Sequence, residues 1–144
     1  MINVKKVLLG SFVVLGCTVG GAQAGNLATV IVENQTNEKA IYTYEHLFGS
    51  AQPAPSDIKD SSAIEFKLTS GSDIASGMRF TYSSGSKKCR FSASHAGTPS
   101  MGGYIPSWKK DAQSIGSSRA TCSATLVGMD SNLPFNYTVK FTIK

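Results

Sequence analysis

The chain has 144 residues, 14 Lys+Arg against 9 Asp+Glu, and a formal charge of +5. Its length suits one domain with its own core. Its basic residues are dispersed apart from Lys87-Lys88-Arg90 and Lys109-Lys110, a distribution that argues against a nucleic-acid partner.

The first 24 residues read as a cleavable secretory signal. Lys5 and Lys6 open it, Val7 to Gly16 form an apolar stretch, and Ala22-Gln23-Ala24 offers a small-residue cleavage site before Gly25. An apolar helix of about ten residues, roughly 15 Å long, is too short to span a bilayer. Within it, Val14-Leu15-Gly16-Cys17 resembles a lipoprotein lipobox, which would leave the chain anchored through Cys17; cleavage after Ala24 would discard that cysteine. Removal of residues 1–24 leaves 120 residues carrying 12 basic and 9 acidic side chains, a net +3. An exported protein of this kind is expected in the periplasm or the medium.

From Leu27 onward the hydrophobic period is two, the signature of strands. Leu27 to Val32 is apolar on both faces, as in a central strand. A turn at Asn34-Gln35-Thr36-Asn37 precedes a second strand at Ala40 to Tyr44. Leu47 to Ala63, with Pro53-Ala54-Pro55, is expected to be a long connection. Ile64 to Leu68, Met78 to Tyr82 and Cys89 to Ala93 alternate strictly, the last two joined by a turn at Ser83 to Lys87. His95 to Ser118 is expected to be a long, flexible loop. Ala120 to Leu126 and Phe135 to Ile143 alternate again around a turn at Met129 to Pro134. About seven strands with one apolar face each predict a single antiparallel β-sandwich over residues 25–144, with a small closed β-barrel as the alternative.

Loss of Cys17 leaves Cys89 and Cys122. Two cysteines in an oxidising compartment predict an inter-strand disulfide, against the alternative of two separate buried thiols. Cys89 shares its face with Phe91 and Ala93, and Cys122 with Ala120, Ala124 and Leu126. Both therefore point into the core, as a bridge requires.

The sequence carries no motif for catalysis, a cofactor or a metal. His46 and His95 stand outside any spaced ligand cluster and are expected at the surface or at a loop edge. Glu45 and His46, adjacent on a strand, should face opposite ways. No Gly-x-Ser-x-Gly elbow occurs, and Glu33, Glu45, Asp57 and Asp60 look like strand-face or turn carboxylates. Asn34-Gln35-Thr36 and Asn136-Tyr137-Thr138 match the glycosylation pattern by chance.

The richest patch is Tyr104, Ile105, Trp108, Lys109 and Lys110. Aromatics beside positive charge resemble interface anchors, and Trp with Lys also suits a bilayer surface. The competing assignment is that Ile105 and Trp108 fold back to cover one end of the sandwich. The order of features (an Asn-rich first turn, a Pro-x-Pro loop, alternating strands) loosely resembles small secreted β-sandwich proteins, aegerolysin-like membrane binders among them. That resemblance is one of pattern and transfers no residue role.

The functional expectation is an exported binding protein acting by protein–protein contact, such as an inhibitor, an immunity-type protein or an adhesion or virulence factor. Its partner would be a protein of the envelope or extracellular space. A membrane-active or lipid-binding toxin-like protein and a small secreted hydrolase are the alternatives.

Overall fold

The computed structural model describes residues 25–144, so the signal segment and Cys17 lie outside the described residues. Every regular element described is a strand. In chain order these are β1 (Leu27–Asn34), β2 (Ile41–Leu47), β3 (Ser50–Gln52), β4 (Ser62–Thr69), β5 (Ala75–Ser84), β6 (Lys87–Ser100), β7 (Gly103–Ser114), β8 (Cys122–Met129) and β9 (Tyr137–Ile143). They form two sheets, ordered β3-β4-β1-β9-β8 and β2-β5-β6-β7, packed face to face as a sandwich. Nine strands stand where seven were expected, because both long connections contain strand. β3 falls in the Leu47–Ala63 segment, and the supposed loop from His95 to Ser118 is mostly a β6–β7 hairpin.

The sheets are antiparallel with one exception. β1 pairs in parallel with β9, from Ala28 opposite Tyr137 to Asn34 opposite Ile143. β1 lies between β4 and β9, the central position its apolar sequence suggested, yet it alternates half-buried and buried residues.

The core forms where the inward phases of the two sheets meet. Val30, Val32, Phe66, Leu68, Val139, Phe141 and Ile143 come from one sheet, and Met78, Phe80, Tyr82, Phe91 and Ala93 from the other. Phe80 sits at its centre, with ring centroids 5.5 Å from Phe141, 5.8 Å from Tyr82 and 5.9 Å from Phe66. Cys89 on β6 and Cys122 on β8 form the expected disulfide, which ties the two sheets together.

Buried amides organise the ends. Asn34, 1% exposed, directs its Nδ2 at the carbonyls of Glu38, Ile58 and Lys59, while its Oδ1 accepts from the Thr36 backbone N–H. Asn26 donates to the carbonyls of Pro134 and Phe135, fastening the start of β1 to the β8–β9 connection.

Candidate functional site

Chain direction and register bring five segments to one end of the sandwich. They are the start of β1, the β2–β3 turn, the β4–β5 connection, the far half of the β6–β7 hairpin and the β8–β9 connection. Their mutual contacts are explicit. Phe48 N–H donates to the Gly77 carbonyl, Ser70 N–H to the Asn26 carbonyl, and Gly97 N–H to the Ile74 carbonyl. A Cβ built on Gly97 would sit 3.1 Å from Ile74 and 3.4 Å from Phe135, so this glycine lets the hairpin lie against both.

The hairpin then leaves the core. β6 and β7 stay paired to Ser100 opposite Gly103, but Thr98 to Ile105 are exposed on this projecting ladder. Gly102 and Gly103 turn the chain with φ of 95° and 143°, conformations that favour glycine. Met101 at the turn is fully solvent-exposed, and Tyr104 and Ile105 follow at 41% and 60%.

The five residues singled out from the sequence therefore lie on a strand rather than a flexible loop, and they divide between two roles. Trp108 pairs opposite His95, is half-buried against the core, and donates its Nε1–H to the Phe135 carbonyl at 3.3 Å. It covers the end of the sandwich. Tyr104 and Ile105 lie on the projecting part, where they join Met101. Lys109 and Lys110 are exposed on the stretch of β7 behind them. Six residues separate Lys109 from Gly102 along the strand, a rise of about 20 Å. The apolar tip and the lysines are thus two neighbourhoods, although the sequence runs them together.

More apolar surface gathers at the same end. Phe48 (β2–β3 turn), Met129 (end of β8) and Leu133 (β8–β9 connection) are 45%, 53% and 52% exposed. With Met101, Tyr104 and Ile105 they make six of the ten large apolar residues exposed among those described. Phe48, Met129 and Leu133 carry little signal in the sequence, since only the fold assembles turns so far apart in the chain.

Comparison with known proteins adds the fold and no more. The sequence matches no family model and no curated protein. Among solved structures, the chain is similar to the crystal structure of IP-1A from Alcaligenes faecalis, with a TM-score of 0.55 over 84% of this chain and 93% of that one. At 12% identity the likeness is one of architecture.

One histidine departs from expectation, while His46 is exposed as expected. His95 is 2% exposed rather than superficial, with Nδ1 3.2 Å from the Ser76 hydroxyl, which lies 3.4 Å from the Tyr137 hydroxyl. The sequence held a signal for this: Cys89, Phe91 and Ala93 set an inward phase that His95 continues. A serine hydroxyl beside an imidazole is the start of a nucleophilic arrangement. Here both groups are buried and the serine hydroxyl is shared with that of Tyr137, which makes the trio a polar part of the core. Among the described residues no group of three or more His, Cys, Asp or Glu is placed to hold a metal ion.

Burial pushes the His95 pKa below its ordinary value, with the Asp73 backbone partly offsetting this. The unfolded chain therefore takes up a proton on this imidazole at a higher pH than the folded one does. Stability from the neutral ring is complete above the unfolded value, about 6.5, and declines as the pH falls below it. The thermal midpoint is expected to drop between pH 7 and pH 5, and H95Q to flatten that slope. Glu33, whose carboxyl is held below its usual range chiefly by its hydrogen bond to Lys140, acts only at lower pH. An unchanged slope in H95Q would assign the effect to other groups.

Glu45 and His46 also break the alternation rule. The β2–β5 register shifts between Tyr44 and His46, a bulge that places both side chains on the outer face of the second sheet. Glu45 accepts from Arg79 Nε at 2.8 Å and Arg90 Nε at 3.0 Å, and His46 pairs opposite Arg79.

Proposed function

We propose that this is an exported, non-catalytic protein that acts by binding another protein through the apolar end of its sandwich. The observation that carries the reading is the gathering of Phe48, Met101, Tyr104, Ile105, Met129 and Leu133 at that end. Exposed apolar surface concentrated at one end of a domain is costly in water and marks interaction sites, and a rigid hairpin presents such anchors at small entropic cost. The disulfide supports an oxidising compartment, where such bonds persist. That compartment and the secretory pattern of residues 1–24 together support export.

One observation favours a bilayer surface as a second reading. Residues Ala96 to Ser107 carry no charge, and the tip stands clear of the core. The separation of about 20 Å between the turn and Lys109 weighs against it, being about twice the screening length at physiological salt. A tip lodged in the headgroup region would leave these cations beyond effective reach of the anionic lipids.

The double variant M101S/I105S should unfold at the wild-type temperature, because both side chains are exposed. It is expected to lose a cross-linked partner that wild-type protein captures from the producing cell's envelope. Capture of the same partner by both proteins would refute the proposed surface. Co-sedimentation of wild-type protein, but not of the variant, with anionic vesicles would decide for the bilayer.

A further inference from the structure

The outer face of the second sheet holds a depression of about 680 Å³, well away from the apolar end's hairpin tip. It arises from side-chain size across the register. Gly77 on β5 lies opposite Ser94 on β6, which lies opposite Lys109 on β7; in the next row Arg79, Ser92 and Asp111 align. Gly77, Ser92 and Ser94 make a low floor, and His46, Arg79, Lys109 and Asp111 stand as taller walls.

Gly77 has no structural explanation within the chain. It sits inside a strand with regular pairing to β6, away from any positive φ, and a Cβ added there would meet nothing within 4 Å. Glycine in a strand interior weakens it, and with regular pairing to β6 and no crowding neighbour its place here suits the close approach of a ligand.

The charges indicate what approaches. Arg79 and Arg90 share the single carboxylate of Glu45, each through Nε, and remain 59% and 41% exposed. Lys109 and Lys110 form no salt bridge among the described residues, so the lining has positive charge to spare. Asp111 would repel a bare anion beside it but accepts hydrogen bonds from hydroxyls, and the two floor serines can donate or accept. A molecule that satisfies all of these carries an acidic group and several hydroxyls.

The geometry points to a binding site for an acidic saccharide, with its sulfate or carboxylate on Arg79 and Lys109 and its hydroxyls on Ser92, Ser94 and Asp111. This surface borders the proposed protein contact at Phe48, whose N–H donates to the Gly77 carbonyl, but not at the hairpin tip, so M101S/I105S and G77V test the two separately.

The test is a titration of isotope-labelled protein with a sulfated disaccharide, read by amide chemical shifts. Saturable shifts are expected at Gly77, Arg79, Ser92, Ser94 and Lys109, with none from a neutral disaccharide. G77V places a strand-favouring side chain in the empty floor without a clash, and R79Q removes one half-exposed ion pair, so both should fold normally. Each is expected to weaken binding about tenfold or more, as loss of a charge-assisted contact or occlusion of the floor would. Undiminished binding by G77V overturns the site, as do shifts that never saturate or spread equally to Lys39, Lys59 and Lys144. Equal affinity for inorganic sulfate overturns the saccharide assignment.

Discussion

Replacing Phe80 by alanine is expected to lower the unfolding free energy by about 3–5 kcal/mol, the range for truncating a buried aromatic. Phe80 is 0% exposed and touches aromatic rings from both layers: Tyr42, Tyr82 and Phe91 in its own sheet, Phe66 and Phe141 in the other. Two effects add. The apolar transfer energy is lost, and the space left between two hydrogen-bonded sheets is slow to collapse because their spacing is set by every other pair in the layer. Edge-to-face contacts with Phe141 and Tyr82, both at 88°, contribute beyond their area. F80L should recover a good part of the loss by filling most of the volume. Guanidinium titration of the three proteins measures this directly. A loss in F80A under about 1.5 kcal/mol would show that the layers close over the gap.

Removing the disulfide is expected to cost about 3–4 kcal/mol on the chain-entropy account, for a closed loop set by a separation of 33 residues. The bond joins β6 of one sheet to β8 of the other, a link that no backbone hydrogen bond supplies, since these strands belong to different ladders. The C89A/C122A variant should keep its strand content and become less stable against denaturant. Because Cys89 is fully buried, the paired alanines also forfeit some packing, so reduction of the wild-type protein gives the cleaner number. A cost under about 1 kcal/mol would mean that the denatured chain already holds residues 89–122 in a restricted ensemble.

Periodicity revealed the strands that bury one face and missed those that do not. Phe135 to Ile143 and Cys89 to Ala93 alternate because each is pressed against the opposite sheet, and the pairing of Cys89 with Cys122 follows from their inward phase. β7 escaped notice for the converse reason. Much of it runs past the end of the core, so neither face of Gly103 to Ser107 has a burial pattern to display. β3 is three residues long and leaves no period at all. The bulge beside Glu45 is a matter of register against β5, which is invisible in β2 alone. The apolar end was legible only at Tyr104 and Ile105, because its other members come from turns that meet through tertiary contacts.

The parallel contact of β1 with β9 sets the order in which the chain can be completed. Ala28 meets Tyr137 across 109 residues, and β4 and β9 flank β1 on its two sides. Until β9 is available, β1 presents a bare edge in the middle of its sheet, and β8, which pairs only with β9, has no place to dock. Ring closure over such a span is slow. A chain threaded through a membrane from its amino end could not complete this sheet until Tyr137–Ile143 had crossed. Stopping the chain before Tyr137 should remove the central ladder of the sheet along with its final strand, leaving a product open to proteases and prone to pair through the exposed edge of β1.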